Sequence, residues 1–137
     1  METTTNHSLF EKYQAELEEE LDLTDFNIKD VQMKLPANKH KWVARLIQQK
    51  IELNKLKKLK HEAIDAVVQN LRKENPVILS DVALGKQAEK NETIQKIIVK
   101  MEECEMLIEY LEKVEKVNSG TSYDIKNLVE MKKLEMQ

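Results

Sequence analysis

KWVARLIQQKIELNKLKKLK, residues 41–60, decides how the rest of the chain is read. The run contains neither Gly nor Pro, and the stretch without a helix breaker extends from Lys39 to Glu74, as many as 36 residues. At 1.5 Å per residue that is a helix of about 54 Å. Placing successive residues 100° apart gathers Trp42, Leu46, Leu53, Leu56, Ile64, Val67 and Leu71 into one sector, the core-facing stripe of an amphipathic helix. Lys60 falls inside that sector and Lys50 and Lys57 at its edge, whereas Lys55 and Lys58 lie opposite. Two readings of the intrusion stay open. The lysines snorkel their ammonium groups outward, or this part of the face looks onto an anion.

Charge sharpens the second reading. Lys39, Lys41, Arg45, Lys50, Lys55, Lys57, Lys58 and Lys60 face a single acid, Glu52, within residues 39–60. The overall net charge of -3 conceals a segregated layout: residues 1–30 sum to -7, residues 31–75 to +7 and residues 76–137 to -3. Like charges along one helix repel, so an unneutralised block of this kind calls for a polyanion, and nucleic acid is the first to consider. Aromatic residues are nearly absent from it, which favours grip on a phosphate backbone over base stacking.

N-terminal to the block, residues 1–8 lack apolar periodicity and read as a frayed end. Leu9, Tyr13, Leu17 and Leu21 recur at spacing four on a very acidic helix, a stripe thin enough to need a partner surface. Thr24 and Asp25 read as a cap. A short helical piece with Phe26, Ile28, Val31 and Leu35 then runs into Pro36, where the chain is expected to turn. Residues 9–35 thus form an acidic N-terminal helical region and residues 39–74 a long basic helix.

C-terminal to the block, Asn75 and Pro76 end the helix, Val77, Ile78 and Leu79 form an apolar connector, and Ser80 and Asp81 offer a cap. Over residues 87–117 Ile94, Ile97, Met101, Cys104, Ile108 and Leu111 alternate by three and four, the seam of a coiled coil or bundle. Asn118, Ser119 and Gly120 read as a stop, and Ile125, Leu128, Val129 and Met131 stripe a last helix over 122–136. The expectation is an all-α single domain of about four helices, an elongated bundle or coiled-coil-like protomer. Oligomerisation through Ile94, Ile97, Met101, Ile108, Leu111, Ile125, Leu128 and Val129 would complete its core.

Composition agrees with long helices: two Gly, two Pro and six aromatic residues punctuate a chain dominated by Lys, Glu, Leu and Ile. His7, His40 and His61 have no second ligand at metal spacing, Cys104 sits at a seam position suited to a small hydrophobe, and Gly85 and Gly120 are isolated. Neither an enzyme, a cofactor nor a metal is expected. No apolar run approaches the roughly 20 residues of a membrane span, and a lone cysteine suits a reducing cytoplasm.

Beyond these patterns lies a likeness in motif order. An acidic N-terminal helix, Asn27–Pro36 (NIKDVQMKLP), Lys41-Trp42 opening a basic helix, Ile78–Ala83 (ILSDVA) and Tyr123–Glu135 (YDIKNLVEMKKLE) follow one another. The last includes Ile125, Lys126, Leu128, Met131 and Lys132. This order resembles the UvsY recombination mediator family of T-even-like phages, over most of the chain from about residue 16. The resemblance implies single-stranded DNA binding and a homo-oligomer, a ring of several subunits. It also implies loading of a phage recombinase in place of the phage single-strand-binding protein, within the host-cell cytoplasm and without a membrane. The residues expected to contact DNA are Lys50, Lys55, Lys57, Lys58 and Lys60, with Arg45 and Lys41 next. The alternative is a structural coiled-coil or adaptor protein with a solvated basic helix.

Overall fold

The computed structural model describes residues 3–74 and 80–137. Four helices and no strand occur among them: α1 (Thr3–Glu20), α2 (Ile28–Glu74), α3 (Asp81–Glu89) and α4 (Glu92–Glu135). The fold is all-α. It divides into two compact units, one made of Met1–Gln48 with Leu107–Gln137 and the other of Gln49–Met106. The apolar connector Val77-Ile78-Leu79 and the stop at Asn75-Pro76 lie outside the described residues.

In the first unit α1 lies on the antiparallel pair formed by the start of α2 and the end of α4. Tyr13 and Leu17 from α1, Trp42 and Leu46 from α2, and Leu107, Leu111 and Val114 from α4 make one buried cluster, edged by Leu9, Phe10, Leu21, Ile108 and Tyr110. Two edge-to-face ring pairs fix the side chains: Tyr13 on Trp42 at 5.5 Å and Phe10 on Tyr110 at 4.9 Å between centroids. The thin stripe of the acidic helix thus finds its partner surface inside the same chain. In the second unit Leu56 from α2, Leu84 and Ala88 from α3, and Ile94, Ile97 and Cys104 from α4 are buried. The Cys104 thiol donates to the Gln49 carbonyl at 3.2 Å.

Side-chain caps set the boundaries. The Asn27 carboxamide accepts from the Thr24 amide at 2.7 Å and donates to the Asp22 carbonyl at 2.7 Å, stitching the α1–α2 loop, and its own carbonyl accepts the Val31 amide. Asn27, rather than Thr24 or Asp25, therefore starts α2. Ser80 caps α3 through the Ala83 amide at 3.2 Å, as expected. Asn91 Oδ1 accepts the Thr93 and Ile94 amides, so α4 starts at Glu92 and residues 87–89 close α3.

Three further boundaries differ from those read in the sequence. Helix α1 begins at Thr3, so the region read as frayed is helical from there on. Pro36 lies inside α2. A proline there removes one ladder donor, leaving the Gln32 carbonyl without its partner four residues on, and costs about 3 kcal/mol. Ile28 before it and Trp42 after it are buried, and Val31, Leu35 and Asn38 are half-buried; this packing on both sides carries the helix through an exposed Pro36. Likewise Asn118, Ser119 and Gly120 are interior to α4. The spacing 107, 111, 114, 118, 121, 125 continues by fours and threes, and all six side chains are buried. Polar Asn118 and Thr121 occupy seam positions there, and the Thr121 hydroxyl donates to the Val117 carbonyl at 3.0 Å.

The same packing changes the account of the seam. Ile94, Ile97, Leu111 and Ile125 are buried within the protomer, and Met101, Ile108, Leu128 and Val129 are half-buried. The chain's own helices thus cover four of the side chains nominated for a subunit interface and leave the other four partly accessible. Met106, Tyr123, Met131 and Leu134 are exposed besides.

Continuity at Gly120 is directly testable. A Cβ built there meets nothing within 4 Å, so Gly120→Ala relieves the entropic cost of an interior helical glycine, about 0.5–1 kcal/mol. Thermal unfolding of Gly120→Ala and of Pro36→Ala should give higher midpoints than the wild type. A turn at either position would give the opposite sign.

Candidate nucleic-acid interface

The basic block of α2 sorts into cations that the protein engages itself and cations that it leaves to solvent. Lys39 donates to the Ser122 hydroxyl at 2.9 Å. Lys41 and Arg45, one helical turn apart, meet Glu16 and Glu20, one turn apart on α1. Arg45 Nη1 reaches Glu16 Oε2 at 2.6 Å, Lys41 Nζ binds Glu20 Oε1 and stands 3.6 Å from Glu16 Oε2, and the Trp42 indole N–H donates to Glu20 Oε2 at 2.7 Å. The Arg45 guanidinium also lies over the rings of Tyr13 and Trp42, at 4.4 and 4.8 Å from their centroids.

Burial gives these contacts weight. Glu20 and Arg45 side chains are 15% and 18% exposed, so each charged hydrogen bond is worth on the order of 1 kcal/mol after screening. Fully exposed i,i+4 pairs such as Lys113–Glu109 and Lys96–Glu92 are worth a few tenths. The hydrogen bond from Arg45 holds the Glu16 carboxyl below its ordinary range against the opposing effect of burial. Burial pushes the Tyr13 hydroxyl up, and Arg45 opposes it.

Beyond Arg45 the picture reverses. Lys55, Lys57 and Lys58 are exposed and have no ion-pair or hydrogen-bond partner among the described residues, while Lys50 is exposed but makes an interaction of its own. Lys60 alone of the five is half-buried, as expected of a lysine that lays its stem on the core sector. Of the seven nominated DNA contacts, the structure therefore leaves Lys55, Lys57 and Lys58 open, keeps Lys50 and Lys60 beside them on the same helix, and ties Lys41 and Arg45 to α1.

Trp42, placed on the core-facing stripe of the basic helix, is a core residue, 2% exposed. It offers no stacking platform. The sequence reading missed Glu16, Glu20 and Tyr13 as partners of the block. Their signal was two oppositely charged i,i+4 pairs, Glu16/Glu20 and Lys41/Arg45, each beside a thin apolar stripe. Among the described residues no three His, Cys, Asp or Glu side chains gather as a metal site, and none of their helices is long and apolar enough to cross a membrane. Burial raises the pKa of the Cys104 thiol, with Glu52 and Glu105 adding to it, which disfavours the thiolate a nucleophile needs.

Comparison of the chain with protein-family models, curated proteins and solved structures gave no match.

The depressed Glu16 carboxyl makes the clamp pH-dependent. A carboxylate whose folded pKa lies below its unfolded value, about 4.5, stabilises the fold above that pH and loses the contribution as pH falls through the lower folded value. Thermal melts of wild type and Glu16→Gln should differ at neutral pH, wild type being the more stable, and converge below about pH 4.5.

Proposed function

We propose that this protein is a recombination mediator that binds single-stranded DNA without sequence preference through Lys55, Lys57 and Lys58 of α2, assisted by Lys50 and Lys60, and helps a recombinase replace single-strand-binding protein. One observation carries the DNA-binding part: three exposed lysines within four residues of a helix, none with a partner among the described residues. Keeping cations so close costs helix stability, and an incoming phosphate backbone removes that repulsion while releasing its counterions. Burial of Trp42 supports backbone contact over stacking. The mediator role rests on the resemblance in motif order.

The mechanism is exchange without bond making. A strand held by its phosphates keeps its bases free for a recombinase, and a homo-oligomer multiplies a modest three-lysine grip into a firm one. A ring of subunits would present the α2 lysines as one continuous cationic surface to the strand. The single-strand-binding protein leaves as its phosphates are taken over.

The competing reading is a structural adaptor, favoured by the exposed apolar side chains Met106, Tyr123, Met131 and Leu134. Titration with single-stranded oligonucleotides at several salt concentrations separates the two. The wild type should bind with a negative salt slope, and Lys55→Gln/Lys57→Gln/Lys58→Gln should make that slope shallower by about 2, at about 0.7 per phosphate contact, with affinity reduced and helicity unchanged. Absence of wild-type binding at about 50 mM salt, or a triple variant that binds as well as the wild type, would leave the adaptor reading.

A further inference from the structure

We propose that Lys41 and Arg45 form a second phosphate-binding site on α2, beside the buried Trp42 indole, and that the chain's own Glu16 and Glu20 occupy it as an internal competitor. The inference rests on the polyanion-binding reading above and concerns where the strand's path on each protomer stops. Three donors from a little over one turn of α2 converge on two carboxylates: Arg45 on Glu16 at 2.6 Å, Trp42 Nε1 on Glu20 at 2.7 Å, and Lys41 on both. A guanidinium and an ammonium in one cluster are the groups that recognise phosphate oxygens. The Arg45 guanidinium lies 4.4 and 4.8 Å from the ring centroids of Tyr13 and Trp42, which confine it before any ligand arrives.

The occupant is tethered. Tyr13 and Leu17 anchor α1 in the same apolar cluster as Trp42 and Leu46, so Glu16 and Glu20 stand at their donors at an effective concentration far above that of any strand in solution. They satisfy the cations and also present negative charge to an approaching phosphate. The resting protein therefore offers a strand its lysines beyond residue 49 and closes the site at Lys41 and Arg45. Removing the two charges opens the site without removing α1, because the apolar anchor and the acceptor for the Trp42 N–H both survive replacement of a carboxylate by a carboxamide.

The test is a salt-dependent titration of single-stranded oligonucleotide against wild type, Glu16→Gln/Glu20→Gln and Glu16→Gln alone. Two additional phosphate contacts should steepen the salt slope of the double variant by about 1.4, and the single variant, freeing mainly Arg45, should steepen it by about 0.7. The double variant should also bind more tightly at low salt and report strand addition through Trp42 fluorescence, which stays unchanged in the wild type. Adding Lys41→Gln/Arg45→Gln to the double variant should return the slope to the wild-type value. A wild type that binds and a double variant that matches it in slope and affinity overturn the clamp while leaving the Lys55–Lys58 reading intact. Failure of both to bind overturns both. Should the double variant lose helicity, Glu16→Gln, which keeps the Glu20 contacts to Lys41 and Trp42, decides the matter by the same slope.

Discussion

A buried indole has to find an acceptor, and much of the first unit follows from how Trp42 finds one. Its ring fills the centre of the cluster of Tyr13, Leu17, Leu46, Leu107, Leu111 and Val114, where an unpaired N–H would cost about 1–3 kcal/mol. Glu20 answers it at 2.7 Å. Bringing a carboxylate to that depth requires a cation beside it, and Lys41, next to Trp42 on α2, supplies it, while Arg45 pairs with Glu16 one turn away on α1. The acidic helix is thereby fixed on the basic one by hydrophobic anchors below and ion pairs above. Segregated charge in the sequence is in part the record of this docking.

The two halves of the block differ in the acids available to them. Glu20 and Glu16 of α1 meet Lys41 and Arg45, whereas Lys55, Lys57 and Lys58 have no ion-pair or hydrogen-bond partner among the described residues. Within residues 39–60 α2 itself supplies a single acid, Glu52. Electrostatic self-sufficiency at Lys41 and Arg45 is thus a product of the docking of α1 and not of the local sequence of α2.

Periodicity made the helical class, the thin acidic stripe, the core face of α2 and the Ser80 cap legible from the sequence alone. Reading failed where local preference and tertiary packing disagree. Pro36 and the Asn118-Ser119-Gly120 run are local stop signals, yet Leu35 on one side and Thr121 and Ile125 on the other are packed well enough to carry the helices across. Asn91 hid the opposite error: a residue placed inside a helix was its cap. The seam was assigned to Ile108, whereas Leu107 is the fully buried residue and Val114 continues it. The buried positions change phase near Cys104, and a strict heptad count cannot follow such a shift. At the candidate site the lysines were visible as charge, but which were spent on Glu16 and Glu20 depends on a contact about thirty residues away in sequence.

Asn118 and Thr121 give the α2–α4 pairing of the first unit a property that an all-aliphatic stripe lacks. The carboxamide nitrogen of Asn118, a residue 4% exposed, is buried with no hydrogen-bond partner among the described residues, and the Thr121 hydroxyl is satisfied by the Val117 carbonyl of its own helix. Both residues thus interrupt the apolar seam without adding a bond across it, and a buried donor left unpaired costs about 1–3 kcal/mol. Cohesion between the two helices is therefore weaker at this point than along the aliphatic stretch from Leu107 to Val114, and this is where the pair would part first.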